Sequence, residues 1–176
     1  MRRLALALAA MALPAAAVAQ APLCLPEYQA AAVVTFVLPS LVTGLAHRCG
    51  PTLPPDAYLT ANAGALADRY RPDADYAWPT ARAAIARLFT QFLGQKMPDE
   101  MNSDVVRQLA EPLIGNLLAK QVHTGDCATA DAAVATLAPL SGRDVGRLAA
   151  LGAAIADRKD KGIAGILHIC RPETAR

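Results

Sequence analysis

Two H-x-C elements carry the residue types and spacing in this chain that are best suited to chemistry. His47 and Cys49 form the first element, and His168 and Cys170 form the second. Two imidazoles and two thiolates are a ligand set for zinc, so a fold that joined the two elements could form a zinc site. Structural zinc sites, however, usually place their cysteines two to four residues apart. Disulfide formation is the competing explanation, and the compartment of the protein decides between the two.

The start of the chain, residues 1–19, has the three parts of a secretory signal peptide. Two arginines follow the initial methionine, and the apolar run from Leu4 to Leu13 is too short to span a bilayer. The A-V-A sequence that ends at Ala19 matches the small-residue cleavage pattern. We predict cleavage after Ala19, which leaves residues 20–176 as a single helical domain.

Four cysteines follow the signal peptide, namely Cys24, Cys49, Cys127 and Cys170. An even number in an exported chain predicts two disulfides, with zinc as the alternative because it needs thiolates. The predicted first helix separates Cys24 from Cys49 by roughly 35 Å, far beyond the roughly 7 Å that a disulfide allows. Of the two remaining pairings, an alternating up-and-down order of helices favours Cys24–Cys127 with Cys49–Cys170.

The densest mixture of aromatic and arginine residues is DRYRPDADYAWPTAR, residues 68–82, which contains a predicted loop. Tryptophan, tyrosine and arginine are enriched in binding hot spots. The segment therefore provides a candidate interaction patch, which consists of Arg69, Tyr70, Arg71, Tyr76, Trp78 and Arg82. The simpler explanation is that Tyr76 and Trp78 anchor a long loop onto the protein while the charges pair locally.

Local signatures of catalysis and cofactor binding are absent from the sequence. It contains no C-x-x-C, H-E-x-x-H, G-x-S-x-G, P-loop or G-x-G-x-x-G motif. We therefore predict no catalytic residue, no cofactor and no metal. An enzyme that uses dispersed residues, such as His123, Asp126 or Arg82, remains the alternative, because an assembled site leaves no local motif.

Helical periodicity dominates the mature chain, and no segment alternates cleanly at a period of two. Pro39 and Pro112 fall inside predicted helices and are expected to kink them, whereas Pro72 is expected to end one. The short tail at 163–170 fits helix or strand equally well. The sequence thus predicts an all-α protein, a single compact bundle of five or six helices, kinked at Pro39 and Pro112 and cross-linked by two disulfides.

Helix faces and caps are predicted from the same pattern. Thr52 or Asp56 is expected to cap the second helix, and Ser141 with Asp144 resembles a capping box for the last one. The later helices have apolar positions at helical spacing, which predicts that these positions face the core. They are Val106, Leu109, Leu113, Leu117 and Val122 in one helix and Val145, Leu148, Leu151 and Ile155 in the other.

Charge and hydropathy exclude some classes of function. The chain has 17 basic and 15 acidic side chains, but two arginines leave with the signal, so the mature domain is neutral and gives no support to nucleic-acid binding. The uncharged segment Gln29–Ala46 is nearly long enough to span a membrane. A span would put Cys24 and Cys49 on opposite sides of that membrane, so we favour a buried central helix and consider membrane association unlikely.

The functional prediction follows from these points. Arginine exceeds lysine and alanine is abundant, which suggests a GC-rich bacterial genome, so we expect a periplasmic or secreted bacterial protein. Its predicted role is that of a non-enzymatic module that binds a protein or a small molecule. The alternatives are a periplasmic enzyme with a site between helices and a membrane-associated structural protein. The sequence predicts neither the ligand nor the oligomeric state.

Overall fold

The computed structural model describes residues 24–94, 104–157 and 168–170, which form five helices and two very short strands. The helices are α1 (Glu27–Cys49), α2 (Tyr58–Leu93), α3 (Asp104–Lys120), α4 (Cys127–Leu137) and α5 (Gly142–Asp157). The strands are β1 (Cys24–Leu25) and β2 (His168–Ile169). The predicted all-α bundle of five or six helices with two disulfides is confirmed. The predicted signal peptide at 1–19 lies outside the described residues.

The central helix is α1, which packs against α2, α3 and α5. A helix that is apolar all round must be buried on several sides, and the uncharged stretch of α1 has this composition. Its buried side chains include Phe36, Val37, Leu38, Val42 and Leu45. By length and composition α1 could also cross a membrane, but half of its most apolar 18-residue window is buried inside the protein. This burial is typical of a core helix.

The second helix is longer than the sequence pattern predicts. We expected one helix to end at Pro72 and another to begin near Pro79, but α2 continues through both prolines for 36 residues. Each proline leaves the carbonyl oxygen four residues earlier without its helical partner, and since both prolines lie on the exposed side of α2, these oxygens can bond water instead. On the other side, alanines at helical spacing are buried without a break, and this continuous packing outweighs the prolines. They are Ala74, Ala77, Ala81 and Ala84.

Pro39 and Pro112 lie inside α1 and α3, as predicted, and each helix continues past its proline. Pro112 is exposed, whereas Pro39 is fully buried in the core. The predicted helix positions are therefore confirmed at both sites.

The predicted disulfide pairing is wrong. The bonds join Cys24 to Cys170 and Cys49 to Cys127, rather than Cys24 to Cys127 and Cys49 to Cys170. The error came from the number of helices between Cys49 and Cys127. With α2 unbroken there are two long helices in that interval instead of three, so the chain returns to the end of α1 that carries Cys49. The exclusion of a Cys24–Cys49 bond is confirmed.

The two strands resolve part of the uncertainty about the tail. Residues 168–169 are extended and pair in parallel with β1, with Cys24 opposite His168 and Leu25 opposite Ile169. The amide of Cys170 also donates to the Leu25 carbonyl oxygen, at 2.9 Å. The remainder of the predicted tail, 163–167, lies outside the described residues.

Two helices begin with caps that come from elsewhere in the chain. The Asp131 carboxylate on α4 accepts hydrogen bonds from the first two amides of α2, at 3.3 and 2.6 Å, so the predicted caps Thr52 and Asp56 are wrong. At the start of α5 the serine half of the predicted box is confirmed, since the Asp144 amide donates to Ser141 Oγ at 3.2 Å, and the Asp144 carboxylate accepts from the Ser141 hydroxyl at 2.6 Å. There, Asp73 on α2 accepts a further bond from the Gly142 amide, at 2.8 Å.

Of the nine predicted core positions of the later helices, six are exposed, but Val145 is buried and Val106 and Val122 are half-buried. These helices contact α1 through small residues, since Gly115 and Ala119 on α3 and Gly146 and Ala150 on α5 are buried. Small side chains let two helix backbones approach closely, and the bulky residues then point outward. The exposed ones are Val105, Leu109, Leu113, Leu117 and Leu118 on α3 and Leu148, Leu151 and Ile155 on α5.

Candidate functional site

The six residues of the predicted interaction patch all lie on α2, because the predicted loop is helical. They are Arg69, Tyr70, Arg71, Tyr76, Trp78 and Arg82. Side chains advance by about 100° per residue around a helix. Trp78 and Arg82 therefore lie on a different side of α2 from Tyr76, and the six residues do not share one surface.

Two of the predicted patch residues contribute to the interior instead. Tyr70 is only 3% exposed, and its hydroxyl donates to the Leu137 carbonyl oxygen at 3.4 Å. Burial raises the pKa of this phenol, although the nearby Arg69 guanidinium acts in the opposite direction. Trp78 is half-buried, with its ring centroid 4.8 Å from that of Phe36 on α1. Both aromatic rings therefore join α2 to its neighbours.

Tyr76 is 76% exposed and lines a groove between α1, α2 and α5. The groove has a volume of about 780 Å³, which is within the range of small-molecule sites. The other residues that line it are Pro26, Glu27, Tyr28, Ala31, Ala32, Thr35, Ala77, Thr80, Arg143, Arg147, Leu148, Leu151 and Cys170. The groove is the candidate functional site of the described residues.

The groove exists because α5 starts beside α2 and then follows α1. At the start of α5, Asp73 of α2 accepts from the Gly142 amide and lies 3.0 Å from Arg143 Nε. One turn later Gly146 packs directly on α1, so closely that a side chain there would lie 2.1 Å from Thr35 Oγ1. Since α5 approaches α1 at this point, a gap opens between α5 and α2.

The floor of the groove is made of small side chains. Ala31, Ala32 and Thr35 of α1 lie along it, and Ala77 and Thr80 of α2 form one side. Larger residues at these positions would fill the gap that separates α2 from α5. The groove therefore depends on both the glycine contact and the short side chains beneath it.

The walls of the groove are apolar and unusually exposed. Tyr28 is 64% exposed, and Leu148 and Leu151 of α5 are 50% and 46% exposed. Contiguous apolar side chains on the surface of a folded protein mark binding sites more often than chance would give. These three residues and Tyr76 all line the groove.

Charge is distributed unevenly along the groove. Arg143 and Arg147 lie near the start of α5, and the Arg143 guanidinium is 5.6 Å from the centre of the Tyr76 ring. Arg147 makes a loose, exposed ion pair with Asp144, at 3.7 Å. Glu27 lines the groove at the start of α1. Because α1 and α5 run in opposite directions here, the groove has a cationic end, an apolar middle and an acidic far end.

The H-x-C elements are not brought together. Cys49 and Cys170 belong to different disulfides, and α1 places Cys49 about 35 Å from the Cys24–Cys170 bond. In the described ranges no three His, Cys, Asp or Glu side chains are grouped so as to hold a metal ion. All four cysteines are oxidised.

The dispersed residues considered for an enzyme are also separated. His123 and Asp126 share an exposed turn next to Cys127, where the Asp126 amide donates to the His123 carbonyl oxygen at 2.9 Å. Arg82 lies on α2 about 36 Å from Tyr58, the residue at which α2 meets α4. The geometry therefore gives no shared site for the three.

Comparison of the chain with protein-family models, with curated proteins and with solved structures finds no match.

Sequence reasoning found Tyr76 but missed most of the groove. Arg143 and Arg147 were not singled out, and Leu148 and Leu151 were assigned to the core because of their spacing. The opposite side of α5 carries a sequence pattern that predicts the outward direction of these leucines. Gly146 and Ala150 are four residues apart, and small residues at that spacing permit close helix contact and leave the leucines outside.

Proposed function

We propose that this chain is an exported, non-enzymatic binding protein and that the groove between α1, α2 and α5 is its ligand site. The single observation that carries the proposal is a groove of about 780 Å³ with apolar walls and two arginines at one end. Ligand sites combine a mostly apolar lining with a few polar groups that fix orientation.

The proposed ligand is a small apolar molecule with one anionic group, such as a carboxylate. Arg147 supplies the positive charge for that group, because its exposed pair with Asp144 is loose at 3.7 Å, whereas Arg143 already pairs with Asp73 at 3.0 Å. Arginine forms strong charge-assisted hydrogen bonds with carboxylates. The apolar body would lie along Ala32 and between Leu148 and Tyr28. Glu27 at the far end would reject a ligand with a second anionic group there.

The proposed location is the periplasm or the medium outside a bacterial cell. Two disulfides support it, because such bonds persist in oxidising compartments, and so does the signal-like sequence at 1–19. Cell fractionation with intact-mass measurement tests the location. Recovery from the periplasm of a protein whose mass corresponds to residues 20–176 supports the proposed location. Recovery of the full-length chain from the cytoplasm contradicts it.

Ligand binding is tested with anilinonaphthalene sulfonate, a fluorescent probe that has the proposed chemistry. We expect saturable binding at one site and displacement by decanoic acid but not by decylamine. Removing a hydrogen-bonding charge costs about 1.5 kcal/mol or more, so Arg147→Gln should weaken binding of both anions at least about tenfold.

Arg71→Gln is the matched control for this substitution. Arg71 is also an exposed arginine in an i,i+3 ion pair, with Asp68, but it lies outside the groove. Its removal should leave binding unchanged. Absence of saturable binding, or an equal loss in the two variants, would contradict the proposed site.

A further inference from the structure

A second apolar surface lies on α3, away from the groove. Val105, Leu109, Leu113 and Leu117 are between 51% and 65% exposed and follow one another at intervals of four residues. We call these four residues the α3 ridge. Side chains at this spacing form a continuous row on a helix, inclined by about 26° to its axis.

The ridge points outward because the opposite side of α3 is held tightly against α1. A side chain at Gly115 would lie 2.7 Å from Ser40 Cβ and 2.8 Å from the Leu41 backbone nitrogen. This close approach fixes the rotation of α3 about its own axis. The leucines therefore cannot turn inward without moving α3 away from α1.

Charged side chains of α3 are drawn away from the ridge. Arg107 forms an ion pair with Asp75 on α2, and Glu111 accepts a hydrogen bond from Ser40 on α1, at 2.9 Å. The two remaining charges lie at the ends of the helix, Asp104 at the start and Lys120 at the finish. An apolar centre without charge is what distinguishes the core of an interface from ordinary surface.

The ridge is self-complementary in one orientation. Consider a twofold axis that is perpendicular to α3 and level with residue 111. It would place Val105 opposite Leu117 of a second copy, and Leu109 opposite Leu113. Such an interface uses the same patch on both subunits, as cyclic dimers do. Two rows of four-residue spacing also pack into each other at the commonest helix crossing angle, about −50°.

The end charges favour this antiparallel orientation. It brings Asp104 of one copy to the end of the partner helix that carries Lys120. The two Lys120 residues are then about 27 Å apart along the helices, well beyond the Debye length of about 8 Å at physiological salt. A parallel arrangement would instead place like charges side by side.

We propose that the α3 ridge is an interface between two copies of this chain, whose α3 helices cross antiparallel. Sedimentation across a concentration series tests it, and a monomer–dimer equilibrium is expected. Leu109→Gln with Leu113→Gln should raise the dissociation constant at least about tenfold, because each loss of burial counts twice in a twofold interface. Both residues are exposed in the monomer, so circular dichroism and the melting temperature should be unchanged when they are measured at concentrations below the dissociation constant.

The control is Leu148→Gln with Ile155→Gln, which removes two similarly exposed apolar residues from α5. It should leave the dimer intact. Charge reversal tests the orientation, since Asp104→Lys or Lys120→Asp alone should weaken the dimer about two- to fivefold and the double change should restore it.

Three results of the sedimentation experiments would overturn the proposal. They are a monomer at every concentration up to about 1 mM, a dimer that survives the α3 double variant, and equal weakening by the α5 control. Binding of the monomer to anionic lipid vesicles, lost in the α3 double variant, would instead assign the ridge to a membrane surface and also overturn it. None of these outcomes depends on whether the groove binds a ligand.

Discussion

The two ends of the bundle are closed by disulfides in different surroundings. At one end the Cys49–Cys127 bond is buried, with its cysteines 0% and 2% exposed, next to a cluster of large side chains that includes Leu45 and Leu59. At the other end Cys24 is exposed and Cys170 half-buried. The apolar cluster there includes Leu25 and Ile169 but is otherwise made of alanines, Ala30, Ala84 and Ala150.

This contrast separates the part of the molecule that supplies stability from the part that carries the candidate site. Large buried side chains contribute more free energy of folding than alanines do, because that energy scales with the apolar area removed from water. The groove lies at the alanine-rich end, and Cys170 is part of its lining. Binding sites are commonly located in the less stable regions of a fold.

The largest expected difference between the ends is in chemical reduction. Thiol–disulfide exchange requires access to a sulfur atom, so a reductant can attack Cys24–Cys170 directly but reaches Cys49–Cys127 only after the core opens. Under a mild phosphine reductant we expect iodoacetamide to label Cys24 and Cys170 at least about a hundredfold faster than Cys49 and Cys127. Peptide mapping measures both rates. Equal rates would show that the two ends open together.

Removal of each bond tests the contribution to stability. The closed loops span 146 and 78 residues, and the chain-entropy model gives about 5 and 4.5 kcal/mol for them. We expect burial to reverse the order of the two losses in stability. Replacing Cys49 and Cys127 by alanine leaves buried cavities, and each cavity adds about 1 kcal/mol or more to the destabilisation. The double alanine variant at 49 and 127 should therefore unfold at lower urea concentration than the one at 24 and 170. The opposite order would mean that loop length dominates.

A single methyl group at Gly146 should disturb the groove end. Because Thr35 Oγ1 leaves no space there, Gly146→Ala should destabilise the protein by about 1 to 3 kcal/mol and weaken probe binding. Gly152 lies on the same helix with nothing within 4 Å of an added side chain. Gly152→Ala should therefore stabilise by up to about 1 kcal/mol and leave binding unchanged. Urea unfolding of the pair measures both, and equal effects would disprove the close contact at Gly146.

The smallest effect concerns alkaline pH and the buried end, where Tyr70 belongs to the large apolar cluster. Burial raises the pKa of this phenol above its ordinary value of 10.0. The folded protein therefore holds this proton more tightly than the unfolded chain. The stability that Tyr70 contributes is fully present below pH 10 and is lost as the pH rises through the pKa of Tyr70 in the folded protein. Unfolding free energies measured from pH 8 to 11 should fall less steeply in Tyr70→Phe, and identical slopes would contradict the raised pKa.

How far the sequence predicts this fold depends on which interactions are local. The central position of α1 could be predicted because its composition leaves it no polar side. The capping box at Ser141 could be predicted because both partners lie within one turn. The continuity of α2 could not, because it depends on the burial of its alanines against α1, and no pattern within residues 68–82 reports that contact.

The same distinction explains the candidate site. Tyr76 was identified by residue type alone, but Arg143 and Arg147 became part of the site only when α5 packed against α1 through Gly146. The outward direction of Leu148 has the same origin. Periodicity reports that a helix has two different sides, but which side faces the core is decided by the fit between helices, here by glycine and alanine.

The length of α1 has a consequence for the order in which the thiols are oxidised. A chain that enters an oxidising compartment from its N-terminus presents Cys24 and Cys49 first, well before either native partner. While α1 is unformed these two thiols can join, and once it forms they are held about 35 Å apart. If α1 forms before oxidation in such a compartment, it keeps Cys49 available for Cys127 and Cys24 available for Cys170.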